Sequence, residues 1–258
     1  MDLILVAHGT RRPGGVAMIG DLAARVSAML DRRVQVAFVD VLGPTPGEVL
    51  ARAAPSGRPA VVVPAFLSRG YHVRTDLPAH VAASGHPHVI VAPALGPGGE
   101  VARIVADQLA KSGWRPGDSV ILAAAGTTDR RARADLHVTA TTLSALVGAR
   151  VQLGFAATGD PSVDDAVSAA RRGGARRVVV ASYLLADGLF QQRLRAGGAD
   201  LVSQPLCTHP GLARLVANRF RRAAPGLAPV TPRHASRRPA LLLAQGPHLK
   251  RHADARDA

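Results

Sequence analysis

The sequence contains a single cysteine, Cys207, in 258 residues. An intramolecular disulfide and a cysteine metal cluster are therefore both excluded, and this usage fits a reducing compartment, so a cytoplasmic protein is the expectation. Aromatic residues make up only 3% of the chain, too few for the stacking platforms that bind single-stranded nucleic acid. Signatures of a nucleic-acid module are also missing, so nucleic acid is not an expected partner despite a net charge of +14. No apolar run reaches membrane-spanning length, and the short one before His8 is wrongly flanked for a secretory signal. HExxH and Cys/His finger spacings are absent, which argues against a standing zinc site.

The positive charge is unevenly placed. Residues 219 to 258 hold nine Lys and Arg against two Asp and Glu, half of the net +14. Prolines at 225, 229, 232, 239 and 247 break up the same region. A basic, Pro/Arg-rich tail over 223–258 without fixed structure is predicted, its His234, His248 and His252 read as solvated. The rest of the chain remains basic, which suits an acidic small-molecule partner such as a phosphate or polycarboxylate.

The body is written twice. At a constant offset of 117 residues, "LVAHGT" (5–10) meets "LAAAGT" (122–127), "VQVAFVD" (34–40) meets "VQLGFAA" (151–157), Pro44 meets Pro161, and "VVVPAFL" (61–67) meets "VVVASYL" (178–184). After a six-residue contraction, "ARIVA" (102–106) meets "ARLVA" (213–217). Five blocks in one order indicate internal duplication. In the first copy, strands are predicted at about 3–7, 34–39, 60–66 and 89–92, with helices near 15–30, 45–54, 74–83 and 98–112. Continuous apolar strands separated by helical patterns specify a parallel sheet covered on both faces. The expected fold is thus α/β, with two tandem doubly wound parallel-sheet domains, 1–113 and 118–222, and a boundary at "SGWRPGD" (112–118).

Ligands of such sheets bind beyond the carboxyl ends of the strands. Three polar side chains of the first copy fall there: His8 after the first strand, Asp40 after the second and His72 after the third. Their counterparts are Ala125, Ala157 and Leu189. A residue the fold needs should persist in both copies, whereas a site needed once can decay in one. Two imidazoles and a carboxylate suit a divalent transition metal, and imidazoles also accept protons near neutral pH. Gly9 and Gly70 read as turn residues beside the histidines, Pro44 as loop-shaping, and His80, His86 and His88 as surface residues.

"LVAHGTRRPGG", "FVDVLGPTP" and "PAFLSRGYHVRTDLP" resemble the sirohydrochlorin chelatase family, the class II chelatases that insert a divalent metal into a tetrapyrrole without ATP. The likeness covers roughly residues 1 to 222. It implies a chelatase-like fold and a lyase acting on sirohydrochlorin, with Fe2+ for sirohaem or Co2+ for cobalamin synthesis as second substrate and no permanently bound cofactor. It further implies His8 and His72 as catalytic and, with Asp40, metal-holding residues; many relatives carry glutamate at the Asp40 position. Arg11, Arg12, Arg69 and Arg74 flank the histidines and are expected to bind the substrate carboxylates. A monomer or homodimer is expected. Two other readings use the same residues. One is a tetrapyrrole or metal carrier. The other is a phosphohistidine-type phosphatase, which Ala7 disfavours because those enzymes place an arginine before the histidine to grip the phosphate.

Overall fold

A computed structural model describes residues 1–227. Eight parallel strands form two four-stranded sheets. In the first, β1 (Asp2–Ala7), β2 (Val34–Phe38), β3 (Ala60–Pro64) and β4 (Val89–Val91) run in the order β2-β1-β3-β4. In the second, β5 (Ser119–Gly126), β6 (Val151–Thr158), β7 (Val178–Tyr183) and β8 (Leu201–Val202) repeat it as β6-β5-β7-β8. The helices are α1 (Pro13–Leu30), α2 (Pro46–Ala53), α3 (Leu77–Ala83), α4 (Gly99–Lys111), α5 (Arg130–Val147), α6 (Val163–Arg172), α7 (Leu189–Ala196) and α8 (Pro210–Ala223).

The duplication extends to individual hydrogen bonds. Ser27 Oγ accepts from Val34 N at 3.0 Å, and Ser144 Oγ, at the matched place, from Val151 N at 2.9 Å. Gly9 and Gly126 both hold positive φ, +101° and +109°. In each case a Cβ would drive into a backbone carbonyl, of Asp40 or of Thr158, so both copies need glycine there.

Strand side chains alternate between faces, and the burial pattern follows. Leu3, Leu5, Val61 and Val63 point into one large apolar cluster, while Ile4, Val6 and Val62 meet Val49, Leu50 and Leu77 on the other face. In the second sheet Leu122 and Val179 join the same large cluster, and Ile121, Val178 and Val180 meet Val163, Val167 and Leu194. The inner faces of the two sheets thus share one core.

That core is closed by an exchange of helices. The pattern over 98–112 predicted a helix belonging to the first half; α4 instead packs on α5 and β7 of the second half. Conversely, α8 packs on α1 and β3 of the first. On α8, Leu212, Leu215, Val216 and Phe220 recur at helical spacing and are buried. At about 2 kcal/mol for each large side chain, they supply on the order of 8 kcal/mol of gross apolar stabilisation. Residues 1–113 and 118–222 are therefore continuous in sequence without being separate in packing.

The expected tail is described only at its start. α8 runs to Ala223 and a 3-10 turn spans Pro225–Leu227; residues 228–258 lie outside the described residues. Among those described, no helix is long and apolar enough to cross a membrane. His86, expected at the surface, is buried, and its Nδ1 accepts from the His88 backbone at 3.2 Å.

Candidate active site

In the first sheet the strand order reverses between β1 and β3, and ligand sites form at such a reversal. His8 follows β1 directly. His72 follows β3 after a loop, at the start of a turn of π-helix, His72–Asp76, that leads into α3. Their rings stand edge to face with centroids 4.6 Å apart, and Phe66 stacks on His72 at 6.0 Å. Two histidines distant in sequence thereby meet on the wall of one cavity of about 590 Å³.

The local contacts fix which nitrogen each ring presents. His72 Nδ1 lies 2.5 Å from Asp76 Oδ2, one turn along. A carboxylate has only acceptors, so the ring donates from Nδ1 and keeps the lone pair on Nε2. His8 Nδ1 likewise lies 3.2 Å from the Gly9 carbonyl, which again can only accept. Both imidazoles are thus set to offer Nε2 as a base or ligand. Asp76 was not anticipated, although its i,i+4 spacing from His72 was readable in "HVRTD".

Asp40 is placed differently from expectation. Its N–H pairs with the His8 carbonyl at 3.1 Å, but its Oδ1 turns back to accept from Val41 N at 2.7 Å, at a residue with φ +70°. The residue is exposed and does not line the cavity. Among the described residues, no three His, Cys, Asp or Glu side chains gather as a set able to hold a metal ion. Asp40 is thus not assembled with His8 and His72.

None of the four arginines lines the cavity. Three are engaged by the second half. Arg12 Nη2 donates to Gln192 Oε1 at 2.8 Å, and Arg74 Nη1 to Asp129 Oδ2 at 3.2 Å. Arg69 is committed most fully: Nη2 reaches Asp135 Oδ1 at 2.6 Å, while Nε and the backbone N–H both reach Oδ2, at 3.1 and 2.8 Å. Asp135 is 2% exposed. Its burial pushes the carboxyl up, but the Arg69 bonds and charge outweigh that, and the balance lies below the ordinary carboxylate value. Arg11, three residues after His8, is exposed.

The second half forms the facing wall. Ala124, Ala125, Leu189 and Phe190 give the cavity an apolar stretch on that side, beside the hydroxyls of Thr127 and Thr128. Ala125 and Leu189, which stand where His8 and His72 have their counterparts, are both among the lining residues. Tyr71, 60% exposed, lies at the mouth on the first-half side.

Two four-stranded parallel sheets sharing a core define a two-lobed, chelatase-like α/β protein. SirB from Bacillus subtilis, solved with Fe3+, has this fold: TM-score 0.72 over 88% of this chain and 97% of that one, at 21% identity. The structure described as CbiX, the terminal enzyme for siroheme biosynthesis in denitrifying bacteria, aligns with TM-score 0.64 over 86% and 99% of the two chains, at 20% identity. The sequence profile of the CbiX family matches twice, over residues 2–112 and 119–223, and the chain belongs to that family. A stretch of 78 residues is 38% identical to the sirohydrochlorin cobaltochelatase of Methanopyrus kandleri, 30% of this chain and 54% of that protein. The corresponding protein of Methanothermobacter thermautotrophicus is 32% identical over 79 residues, 55% of its length. The chain thus spans about half the length of the curated relatives it matches.

Proposed function

We propose that this chain is a sirohydrochlorin chelatase, inserting a divalent metal into the tetrapyrrole without ATP, with Fe2+ as the first choice and Co2+ as the second. The observation that carries this reading is the His8–His72 pair, with ring centroids 4.6 Å apart edge to face, on the wall of a cavity of about 590 Å³ whose other wall is largely apolar. That volume suits a flat macrocycle whose carboxylate arms reach solvent. The curated relatives named as cobaltochelatases and the SirB structures with Fe3+ and with cobalt support the same chemistry.

Metallation replaces two pyrrole N–H protons by one divalent cation. The Nε2 atoms of His8 and His72 are suited to accept those protons in turn and to guide the incoming cation to the ring face. A cation held by two imidazoles keeps most of its coordination open, so the four ring nitrogens can take it over. Asp76 holds His72 in the required tautomer. Arg11 remains a candidate for a substrate carboxylate, and Arg12 and Arg74 can exchange their single contacts for one. Arg69 and Asp40 have no direct part in this scheme. A single cysteine, Cys207, which can form no intramolecular disulfide, suits a reducing compartment, and the cytoplasm is the proposed location.

The test is anaerobic metallation of sirohydrochlorin followed by absorbance, with wild type, His8→Ala and His72→Ala. Wild type is expected to turn over with Fe2+ or Co2+, and each variant to lose at least about a hundredfold in rate. Stable binding of sirohydrochlorin without spectral change on adding either metal would instead identify a carrier. Variants as fast as wild type would overturn the site.

A further inference from the structure

The second half lacks the histidines, yet it holds the loop that carries one of them. Two ties connect it to residues 67–72. Asp135, on α5, takes three hydrogen bonds from Arg69, one of them from its backbone N–H. Tyr183, at the end of β7 and 3% exposed, donates from its hydroxyl to the Leu67 carbonyl at 2.9 Å. The same hydroxyl lies 3.3 Å from Thr139 Oγ1, which donates to the Asp135 carbonyl at 3.0 Å. The loop is therefore held on both sides of Ser68, at the Leu67 carbonyl and at Arg69, by two buried acceptor or donor groups of the second half that lie against one another through Thr139.

The opposite direction offers a built-in comparison. The duplication matches Asp135 to Met18 and Tyr183 to Phe66. Met18 offers the equivalent loop of the second half a sulfur, 3.3 Å from Asp187 N, and a thioether is a weak acceptor. Phe66 has no hydroxyl to offer. Both strong ties thus act on the loop with the histidine, and neither counterpart, Met18 nor Phe66, brings an oxygen to the loop that carries Leu189. A bond needed only to join the halves has no reason to favour one direction.

We infer that Asp135 and Tyr183 are positioning residues for His72, holding its loop so that the imidazole meets His8 and the substrate at a fixed angle. This rests on the chelatase reading above and extends it to residues of the half that has lost the chemistry. Displacement of a reacting group by about 1 Å costs on the order of a hundredfold in rate without loosening substrate. The signature is therefore a fall in kcat with KM unchanged.

The experiment compares the full chain as wild type, Asp135→Ala, Asp135→Asn, Tyr183→Phe and Met18→Leu in anaerobic metallation of sirohydrochlorin with Fe2+ and Co2+. Asp135→Ala is expected to lose about ten- to a hundredfold in kcat, and Tyr183→Phe about fivefold, with KM for sirohydrochlorin within about twofold. Asp135→Asn, which still accepts from the Arg69 N–H, should recover part of the loss, and Met18→Leu should stay within about twofold of wild type. A rise in KM at constant kcat, or an equal loss in Met18→Leu, overturns the inference. A second readout needs no turnover: the imidazole NMR signals of His72, assigned by their disappearance in His72→Ala, should shift or broaden in Asp135→Ala and Tyr183→Phe and hold in Met18→Leu. Wild type inert with both metals sinks the chelatase reading alone, whereas unmoved His72 signals sink the positioning role whatever the turnover.

Discussion

His72 and Leu189 occupy matched positions of the duplicated halves, and both line the same cavity. One copy presents an ionisable ring, the other a bare apolar side chain, 51% exposed. An exposed leucine beside Phe190 is poor use of surface unless something flat and apolar lies against it. Under the proposed chelatase function, the half without the histidine supplies a wall suited to a macrocycle face.

Truncating that wall should weaken substrate binding while leaving the histidines alone. Leu189→Ala removes contact worth about 1 kcal/mol, which corresponds to a rise in KM for sirohydrochlorin of about fivefold with kcat within about twofold of wild type. Steady-state rates across a tetrapyrrole titration measure it. A loss in kcat at constant KM would place the residue elsewhere in the cycle.

Asp76 fixes the His72 tautomer through a 2.5 Å contact. Asp76→Asn can present an amide N–H where an acceptor is needed, and an outer partner of this kind is worth about ten- to a hundredfold in activity. The expected outcome is a loss in that range at saturating metal, with the thermal midpoint within a few degrees of wild type. Full activity in the variant would mean that His72 orientation does not depend on Asp76.

Asp40→Ala is the contrasting case. Its carboxylate accepts from Val41 N outside the cavity, so the metallation rate should change by less than about threefold, the main effect being loss of one exposed local hydrogen bond worth about 1 kcal/mol. A loss comparable to that of His72→Ala would show that the carboxylate swings into the site during turnover.

Gly9→Ala and Gly126→Ala should behave alike despite sitting in an active and an inactive copy. Each forces a Cβ at positive φ into a carbonyl, costing about 2 kcal/mol or more. Urea denaturation should give lower midpoints for both. Destabilisation by Gly9→Ala alone would tie that turn to chemistry rather than to the fold.

Acid stability has a defined sign. Asp135 is held below its ordinary 3.8, as are Asp129 by the Ala132 and Arg131 N–H groups and Asp107 by Lys111 and His209. Between the unfolded and the lowered folded values the unfolded chain binds more protons, so these groups stabilise above 3.8 and their contribution is lost as pH falls through the folded values. The urea midpoint should hold down to about pH 5, decline below 3.8, and decline less steeply in Asp135→Asn. An identical slope in that variant would remove Asp135 from the account.

The strands and the duplication were legible because continuous apolar runs such as "LILVA" and "VVVP" leave few alternatives, and because Ala125, Ala157 and Leu189 mark what the second copy lost. The helix exchange was not legible: the spacing on α4 says which face is apolar but not which sheet it will cover. Asp135 and Tyr183 were missed because the copies were compared only for polar residues that disappeared. The converse comparison, Met18 against Asp135 and Phe66 against Tyr183, carried the signal. The protein partners of the arginines were not legible, because guanidinium groups near a site satisfy protein carboxylates and amides as readily as substrate ones, and the acceptors on α5 and α7 come from the other half of the chain.

The exchange of α4 and α8 also sets an order of events during synthesis. The first sheet emerges from the ribosome early, but the helix that covers its inner face over α1 and β3 is the last described one, Pro210–Ala223. The face of β3 that meets α8 therefore lacks that partner until residue 223 has been made.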